Sequence, residues 1–382
     1  MAAERIHALD LVRGVAVLGI LAVNAEAFGG PIEALHDMTA WPFPHRGWTA
    51  FSYWIIDVFF REKFITLFSM LFGISVFLVG GERDDQVRSR LLRRRLAVLI
   101  GFAMLHGFGI WWGDILSLYA LTGAVMYWCR SWSAPTLMRT GVALFGAMSS
   151  LLLPFGFVDP SPPTSAEKAA GVAASIATAT ASWSGAFEVN VRSYWQMLEG
   201  YPWALLPTLC LMMIGLSLFK SGFFAGRSTT RRYQAVLAVG AAALTAQALL
   251  SWREAILLEP VWGSGFASGV LAPVIALGYA AGGMLLLRSR AAPILAPVAA
   301  SGRMAFTNYL AQFLIMTTLF YGGRFALMGQ VDRPALWAIV IAVWTVQLAW
   351  STWWLQRFDY GPCEWAWRCL TVGHTVPFRK LA

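Results

Sequence analysis

The sequence predicts an all-α fold, a polytopic transmembrane helical bundle of about ten spans with both the N- and C-termini cytoplasmic. Three observations predict it. First, 58% of the 382 residues are hydrophobic and only 13% are charged, about half the charged share of a soluble domain. Too few polar side chains remain to cover a water-exposed surface of that size. Second, the apolar residues come in runs of about 20, the length that crosses a bilayer as a helix. Third, the basic residues sit in short segments between those runs, the pattern that sets membrane orientation. The 19 Trp and 25 Phe agree, since aromatic rings concentrate at membrane interfaces.

The first run covers residues 9–28. The next apolar block, 48–80, is too long for one span and is interrupted by Arg61-Glu62-Lys63. It divides into an interfacial or re-entrant helix at 48–60 and a true span at 64–80. Spans at 96–112, 115–129, 136–157, 201–219, 234–252, 265–287, 304–321 and 335–355 follow. One long loop, 158–200, opens with Asp159-Pro160-Ser161-Pro162-Pro163 and continues rich in Ala and Ser. It is a flexible connector or a lid over an outward-facing site. Residues 360–373 read as a short interfacial helix, with Trp365 and Trp367 suited to the headgroup layer and Arg368 to lipid phosphates. The chain is thus a single integral membrane domain, 1–382, with an extracytoplasmic loop at 158–200 and a cytoplasmic interfacial tail at 360–382.

Orientation follows from the basic residues. With the N-terminus inside, 20 of the 29 Lys and Arg fall in inside segments and 8 in outside ones, Arg13 lying within the first span. The bias recurs loop by loop. A cleavable signal peptide is the other reading of the N-terminus, with Arg5 and Arg13 as its basic region, 14–23 as its apolar core and Ala25-Glu26-Ala27 as its cleavage site. The net charge of +9 raises nucleic acid as a partner, but no nucleic-acid module is present. Cys129, Cys210, Cys363 and Cys369 form no C-x-x-C pair and have no His at ligand spacing, so no metal site is expected. Nor is there an internal repeat, a P-loop, a G-x-S-x-G or a dinucleotide fingerprint. Gly14, Gly19, Gly73 and Gly101 read as helix-packing contacts.

Ionisable groups inside spans are costly unless paired or hydrated, which makes each a candidate for function. Asp10 and Arg13, at i,i+3, share a helix face, and Asn24, 11 residues on, returns to nearly the same angle. They form either a buried ion pair with a polar stripe or part of a site. His106 lies mid-span, and its side-chain type has an unperturbed pKa near neutrality, suited to a general base. Asp114 could orient it or deliver protons, but a spacing of eight does not place the two on one face of a continuous helix. Contact would need a break at Gly113. Lys63, within Arg61-Glu62-Lys63, either snorkels or binds substrate. Arg303 stands at the entrance of a span in which Asn308 and Gln312, at i,i+4, share a face, for substrate or for bonds between helices.

Several stretches, in order, resemble the YeiB-like family of bacterial inner-membrane proteins, a domain family of unknown function. They are residues 9–20, from Leu9-Asp10-Leu11-Val12-Arg13-Gly14 onward, with Asn24; Lys63-Phe64 with Leu67-Phe68 and Leu71-Phe72-Gly73; His106-Gly107 with Gly113-Asp114-Ile115-Leu116; Gly302-Arg303-Met304-Ala305 with Thr307-Asn308-Tyr309-Leu310; and Gly361-Pro362 with Glu364-Trp365, Trp367-Arg368 and Leu370-Thr371. That family is in turn distantly similar to the transmembrane acyltransferases, through the Asp-x-x-Arg-Gly and later Asn of the first span. The resemblance implies a bacterial plasma-membrane protein, with an acyl-CoA co-substrate entering from the cytoplasm and an envelope-associated sugar or other acceptor. The chain departs from the acyltransferases in one respect: they place a catalytic His within or soon after the first span. Here His36 and His45, in a loop, are the nearby histidines, and His106 fits the YeiB-like pattern better.

The expected catalytic set is therefore His106, Asp114, Asp10 and Arg13. Asn24, Lys63, Arg303 and Asn308 are expected at the substrate, with Arg93, Arg94 and Arg95 attracting CoA phosphates. Acyl transfer is the leading expectation. Proton-coupled transport through His106 and Asp114, and a non-catalytic membrane role, are its rivals.

Overall fold

Residues 7–35, 37–153, 165–259 and 261–380 are described by the structure, a computed structural model. Among them the regular elements are helical: α1 (His7–Gly29), α2 (Gly47–Phe59), α3 (Lys63–Gly80), α4 (Gln86–Gly109), α5 (Leu116–Cys129), α6 (Ala134–Leu152), α7 (Ser165–Ala181), α8 (Trp183–Lys220), α9 (Thr230–Ala255), α10 (Ser264–Leu287), α11 (Ala296–Arg303), α12 (Ala305–Phe320), α13 (Arg333–Arg357) and α14 (Pro362–Val372). Extended pairing among the described residues is limited to one bridge, Phe358 to Arg379. Among the described residues, six helical stretches are long and apolar enough to cross a membrane: α1, α2 with α3, α8, α9, α10 and α13. Helices α5 and α12 are apolar but shorter.

Helix α1 is the hub, packed on α3, α10, α11, α12 and α13. It is apolar around nearly its whole circumference, as a helix buried on all sides should be. Its closest neighbour is α11. A Cβ on Gly14 would lie 1.9 Å from the Val298 carbonyl oxygen, and one on Gly302 would lie 1.9 Å from that of Asp10. Without side chains at both positions the two backbones touch, the small-residue crossing of membrane helices. Gly73 makes a similar close approach to α8, and Gly19 admits the Phe64 ring, whereas Gly101 faces open space and packs against nothing. Ala25, Glu26 and Ala27, the triplet of the signal-peptide reading, are buried in α1.

The break between α2 and α3 falls at Arg61-Glu62-Lys63, with Glu62 in the left-handed region at φ 66°. Five of the described helix starts are set by side-chain caps from the N-cap residue. Asp85, Ser133, Ser182, Thr229 and Asp332 each accept a backbone N–H of the first turn, satisfying donors that have no partner within the helix.

One expectation is corrected. The segment 158–200, expected as a loop, is helical throughout its described part apart from Ser182: α7 fills 165–181 and the first half of α8 fills the rest. At 38 residues, α8 is about 57 Å long, nearly twice a bilayer core. The predicted span at 201–219 is its second half. The start of α8, with α7, covers the chain around Gly322 and Gly329.

Candidate functional site

Helix α4 brings the site together. Its residues Leu92, Arg95, Leu96 and Leu99 form one wall of a cavity of about 180 Å³, faced by Arg13 of α1, Phe68 to Val76 of α3, Tyr119 of α5, Arg303, Phe306 and Tyr309. Glu364 and Trp367 of α14 complete it. Most of this lining is aliphatic or aromatic. The cations gather at the end nearest the tail helix. Arg13 lies 3.6 Å from Asp10 and donates to Ser75 Oγ at 3.1 Å. The Arg95 guanidinium lies 3.7 Å from the Trp367 ring centre, and its backbone oxygen accepts the Trp367 indole N–H. Arg303 donates to the Asp359 carbonyl.

Helix α14 is held there by Glu364. Its carboxyl accepts the Phe306 and Thr307 N–H groups, 2.7 and 3.1 Å away, and the Thr307 hydroxyl, capping the start of α12. Thr307 Oγ1 in return accepts the Cys363 N–H. Burial pushes the Glu364 carboxyl above its ordinary range, against the opposing pull of these bonds.

The deep end of the cavity is Tyr309 with Ile115 and Leu116. Directly behind Tyr309, with ring centres 5.3 Å apart, lies His106. His106 and Asp114 touch: Nδ1 is 3.1 Å from Oδ1, and both side chains are fully buried. The contact forms because α4 stops at Gly109 and the chain turns back before α5 begins. A Cβ on Gly113 would lie 2.1 Å from the Trp111 ring, so the bare glycine lets that ring fold over the turn. Asp114 also caps α5. It accepts the Leu116 and Ser117 N–H groups and the Ser117 hydroxyl, while Ser117 Oγ lies 2.7 Å from Tyr194 OH. Tyr201 donates to the Asp114 backbone oxygen.

A carboxylate only accepts, so a neutral imidazole bonded to one through Nδ1 carries its proton there and presents a lone pair at Nε2. Nε2 is buried with no hydrogen-bond partner. A histidine oriented through one nitrogen and bare at the other has the form of a general base awaiting a substrate proton. On the far side its ring meets Phe313 edge-on at 4.9 Å, and Phe313, Trp111 and Phe28 stack in series.

The remaining expected residues separate. Arg13 lines the cavity, Asp10 reaches it only through its 3.6 Å contact with Arg13, and Asn24 is about 16 Å beyond Arg13 along α1 and, like Asp10, outside the lining. Of the three arginines, only Arg95 turns inward; Arg93 and Arg94 are exposed, and Arg94 reaches Gly373. Asn308 and Gln312 join an amide ladder. Asn308 donates to the Ser301 carbonyl and Ser351, Gln312 to the Val17 carbonyl and Gln347, and Gln347 to the Asn308 carbonyl. The ladder ties α12 to α1, α11 and α13. Lys63 is buried with its ammonium on the Asp57 carbonyl.

Lys63 belongs to a second polar cluster that sequence reasoning missed. Glu26, fully buried, accepts Arg333 at 2.6 Å and Arg61 at 2.8 Å, and Arg61 also contacts Asp57 at 3.1 Å. The Arg333 guanidinium lies over the Trp41 and Tyr53 rings. His45 sits beside this cluster, bonded to the Ala255 carbonyl, and burial lowers its pKa. His36 lies outside the described residues. Glu26 carried one signal, a lone charge in an apolar run. Tyr194 and Ser117 carried none.

The described residues hold no grouping of three His, Cys, Asp or Glu able to bind a metal ion. The family model described as "Protein of unknown function (DUF418)" matches residues 218–374. The chain is similar to the uncharacterized protein YeiB of Escherichia coli (strain K12), 35% identical over 98% of each chain. It is also similar to the uncharacterized protein YxaH of Bacillus subtilis (strain 168), 31% identical over 99% of this chain and 96% of that one. An uncharacterized 39.9 kDa protein from the amylase 3' region of Bacillus acidopullulyticus is 26% identical over 98% of this chain and 96% of its own. No solved structure matches the chain.

Proposed function

The chain belongs to the YeiB-like family of proteins of unknown function, and on that premise we propose that it is a membrane-bound acyltransferase of the bacterial inner membrane. In this reading ten helices span the bilayer, namely α1, α3, α4, α5, α6, α8, α9, α10, α12 and α13, with both termini cytoplasmic. The basic residues concentrate on the side of the termini, which supports that orientation. The cavity with Arg13, Arg95 and Arg303 then faces the cytoplasm.

The donor is an acyl-CoA. Its phosphates meet the arginines, which suit phosphate geometry, and its acyl-bearing arm lies along the apolar wall toward Tyr309. Arg95 and His106 are 11 residues apart on α4, about 16 Å along its axis. Rotation of the Tyr309 side chain opens the cavity to His106. The acceptor hydroxyl or amine gives its proton to His106 Nε2 as its oxygen or nitrogen attacks the thioester carbonyl. Asp114 holds the resulting imidazolium. The tetrahedral intermediate collapses by breaking the carbon–sulfur bond, and the CoA thiolate takes the proton back from Nε2. Products are the ester or amide and free CoA. Positioned base catalysis of this kind contributes about 10²- to 10⁴-fold.

The observation that carries the proposal is the bare, buried Nε2 of His106 one side chain beyond an arginine-mouthed cavity. Its test uses the purified full chain in lipid nanodiscs with acetyl-CoA, following CoA binding and thioester loss. Binding and acceptor-dependent thioester loss are expected; absence of both, across hydroxyl and amine acceptors, overturns it. One observation favours a second reading, proton-coupled transport. His106, Asp114, Ser117 and Tyr194 form an unbroken hydrogen-bonded chain of the kind that relays protons. Gradient-dependent solute movement without thioester loss is its signature.

A further inference from the structure

Two of the arginines at the cavity mouth hold the tail. The Arg95 guanidinium lies 3.7 Å from the Trp367 ring centre, and Arg303 donates to the Asp359 carbonyl at 3.4 Å. Trp367 also packs on Phe306, with ring centres 5.3 Å apart, and with Glu364 it walls the cavity on that side. The helix that closes the mouth is therefore bound by the cations that the mouth presents.

Residues 361–375 form a flap that is closed at its base. The Asp359 N–H donates to the Phe378 carbonyl, the Lys380 N–H donates to the Arg357 carbonyl, and Phe358 bridges Arg379. The Phe358 and Phe378 rings pack there at 4.8 Å, and Trp354 stacks on Phe358 at 4.2 Å. This base ties the two ends of the flap to each other and to α13. It uses neither α4 nor α12. Between the ends α14 sits shallowly, with Thr371 its one fully buried residue, and Gly373 ends it in the left-handed region at φ 83°. Cys363, Glu364 and Trp367 fasten it to α12 and α4. A segment with little buried apolar surface and a few discrete bonds is the kind that opens.

Resting on the acyl-transfer reading, we propose that residues 361–375 are a lid on the donor cavity, opened by the donor's phosphates as they draw Arg95 from Trp367. A guanidinium paired with phosphate is charge-assisted and bidentate, which outweighs a cation resting over a ring. A ligand shifts a two-state segment only through its different affinity for the two states. Here the difference is specific. In the closed state Arg95 is on the ring and α14 walls the mouth. In the open state the guanidinium can turn to the phosphate and the way in is clear. Glu364, seated on the start of α12, holds the lid shut until then, and the base keeps it attached throughout.

The test locks the lid. The Cys363 N–H lies 3.0 Å from Thr307 Oγ1, so Thr307→Cys sets a thiol beside the native Cys363, within reach of a disulfide. CoA binding to the full chain in nanodiscs is measured with this pair oxidised and then reduced. Oxidation should weaken binding by about tenfold or more, because Arg95 then stays on the ring, and reduction should restore it. Thr307→Cys combined with Cys363→Ala should bind alike in both conditions. In wild-type protein, amide hydrogen exchange of 362–372 should quicken several-fold when CoA is added. Trp367→Leu should show that faster exchange without CoA and should bind CoA more tightly. The proposal is overturned if the oxidised pair binds CoA as the reduced pair does, if CoA leaves the exchange of α14 unchanged or slows it, or if Trp367→Leu behaves as wild type. Such results with acceptor-dependent thioester loss intact leave the acyl-transfer reading standing. CoA that opens the lid without thioester loss keeps the lid and removes that reading. Wild-type protein that binds no CoA overturns both.

Discussion

Two of the buried polar clusters in this bundle, those around Glu26 and His106, are built on different principles. Around Glu26, charge answers charge: one carboxylate between two arginines, Asp57 beyond, and aromatic rings against the Arg333 guanidinium. Around His106 the polar groups are ordered in one direction. Ser117, two backbone N–H groups and Asp114 all serve to hold the imidazole, and the last nitrogen is left open. A cluster whose opposite charges pair across α1, the α2–α3 break and α13 fastens helices, even with Arg333 Nη1 and Nη2 left without a hydrogen bond. A cluster that spends its bonds on orienting a single bare atom prepares that atom for a ligand. The cavity lies beside the second cluster.

The difference should separate in mutants. Glu26→Ala leaves two arginines facing each other in the core, and breaking a buried pair costs about 3–5 kcal/mol. Thermal unfolding in detergent should shift strongly downward, and folded yield should fall. A variant with wild-type melting would mean that the Glu26 cluster fastens nothing. Asp114→Asn keeps the shape but turns an acceptor toward Nδ1 less firmly and removes the charge that holds an imidazolium. It should lower turnover at saturating acyl-CoA by about 10²-fold or more, with KM for the donor little changed. Arg95→Ala should do the reverse, raising that KM by about tenfold, the value of one charge-assisted contact of ~1.5 kcal/mol, at near-constant kcat. If the two variants changed the same parameter, the division between phosphate end and chemical end would collapse.

The smallest effect belongs to the tail. Because burial raises the Glu364 carboxyl above 4.5, the folded state holds its proton more tightly than the unfolded chain does. Its contribution is then fully present below 4.5 and declines as pH rises through the raised value. Glu364→Gln still accepts the Phe306 and Thr307 N–H groups and carries no titrating proton. Proteolytic release of α14 should become easier with rising pH in wild-type protein and lose that slope in the variant. An unchanged slope would place the titrating group elsewhere.

How much of this was legible beforehand depends on the physical signal each feature leaves. Long apolar runs announce α1, α9, α10 and α13 directly, and the charge triplet at 61–63 marks the break between α2 and α3. Residues 165–181 were hidden because Ala and Ser give neither a hydrophobic run nor a clear amphipathic stripe, and Ala is an excellent helix former. His106 and Asp114 were both visible as buried polar groups. Their contact was not, since a continuous helix keeps positions eight apart on different faces, and only the helix end at Gly109 brings them together. Asn308 and Gln312 showed their shared face, but not that Gln347, on a distant stretch of chain, waits opposite. Arg94 and Arg95 are neighbours in sequence and point to different surroundings, which the run of three arginines cannot reveal.

The account turns on His106 as the base. Its most direct test is a single-turnover reaction of bound acetyl-CoA with acceptor, comparing wild-type protein and His106→Gln at equal occupancy. The predicted result is unchanged CoA affinity with acyl transfer slowed by about 10²- to 10⁴-fold. Transfer at the wild-type rate in the variant would contradict the assignment.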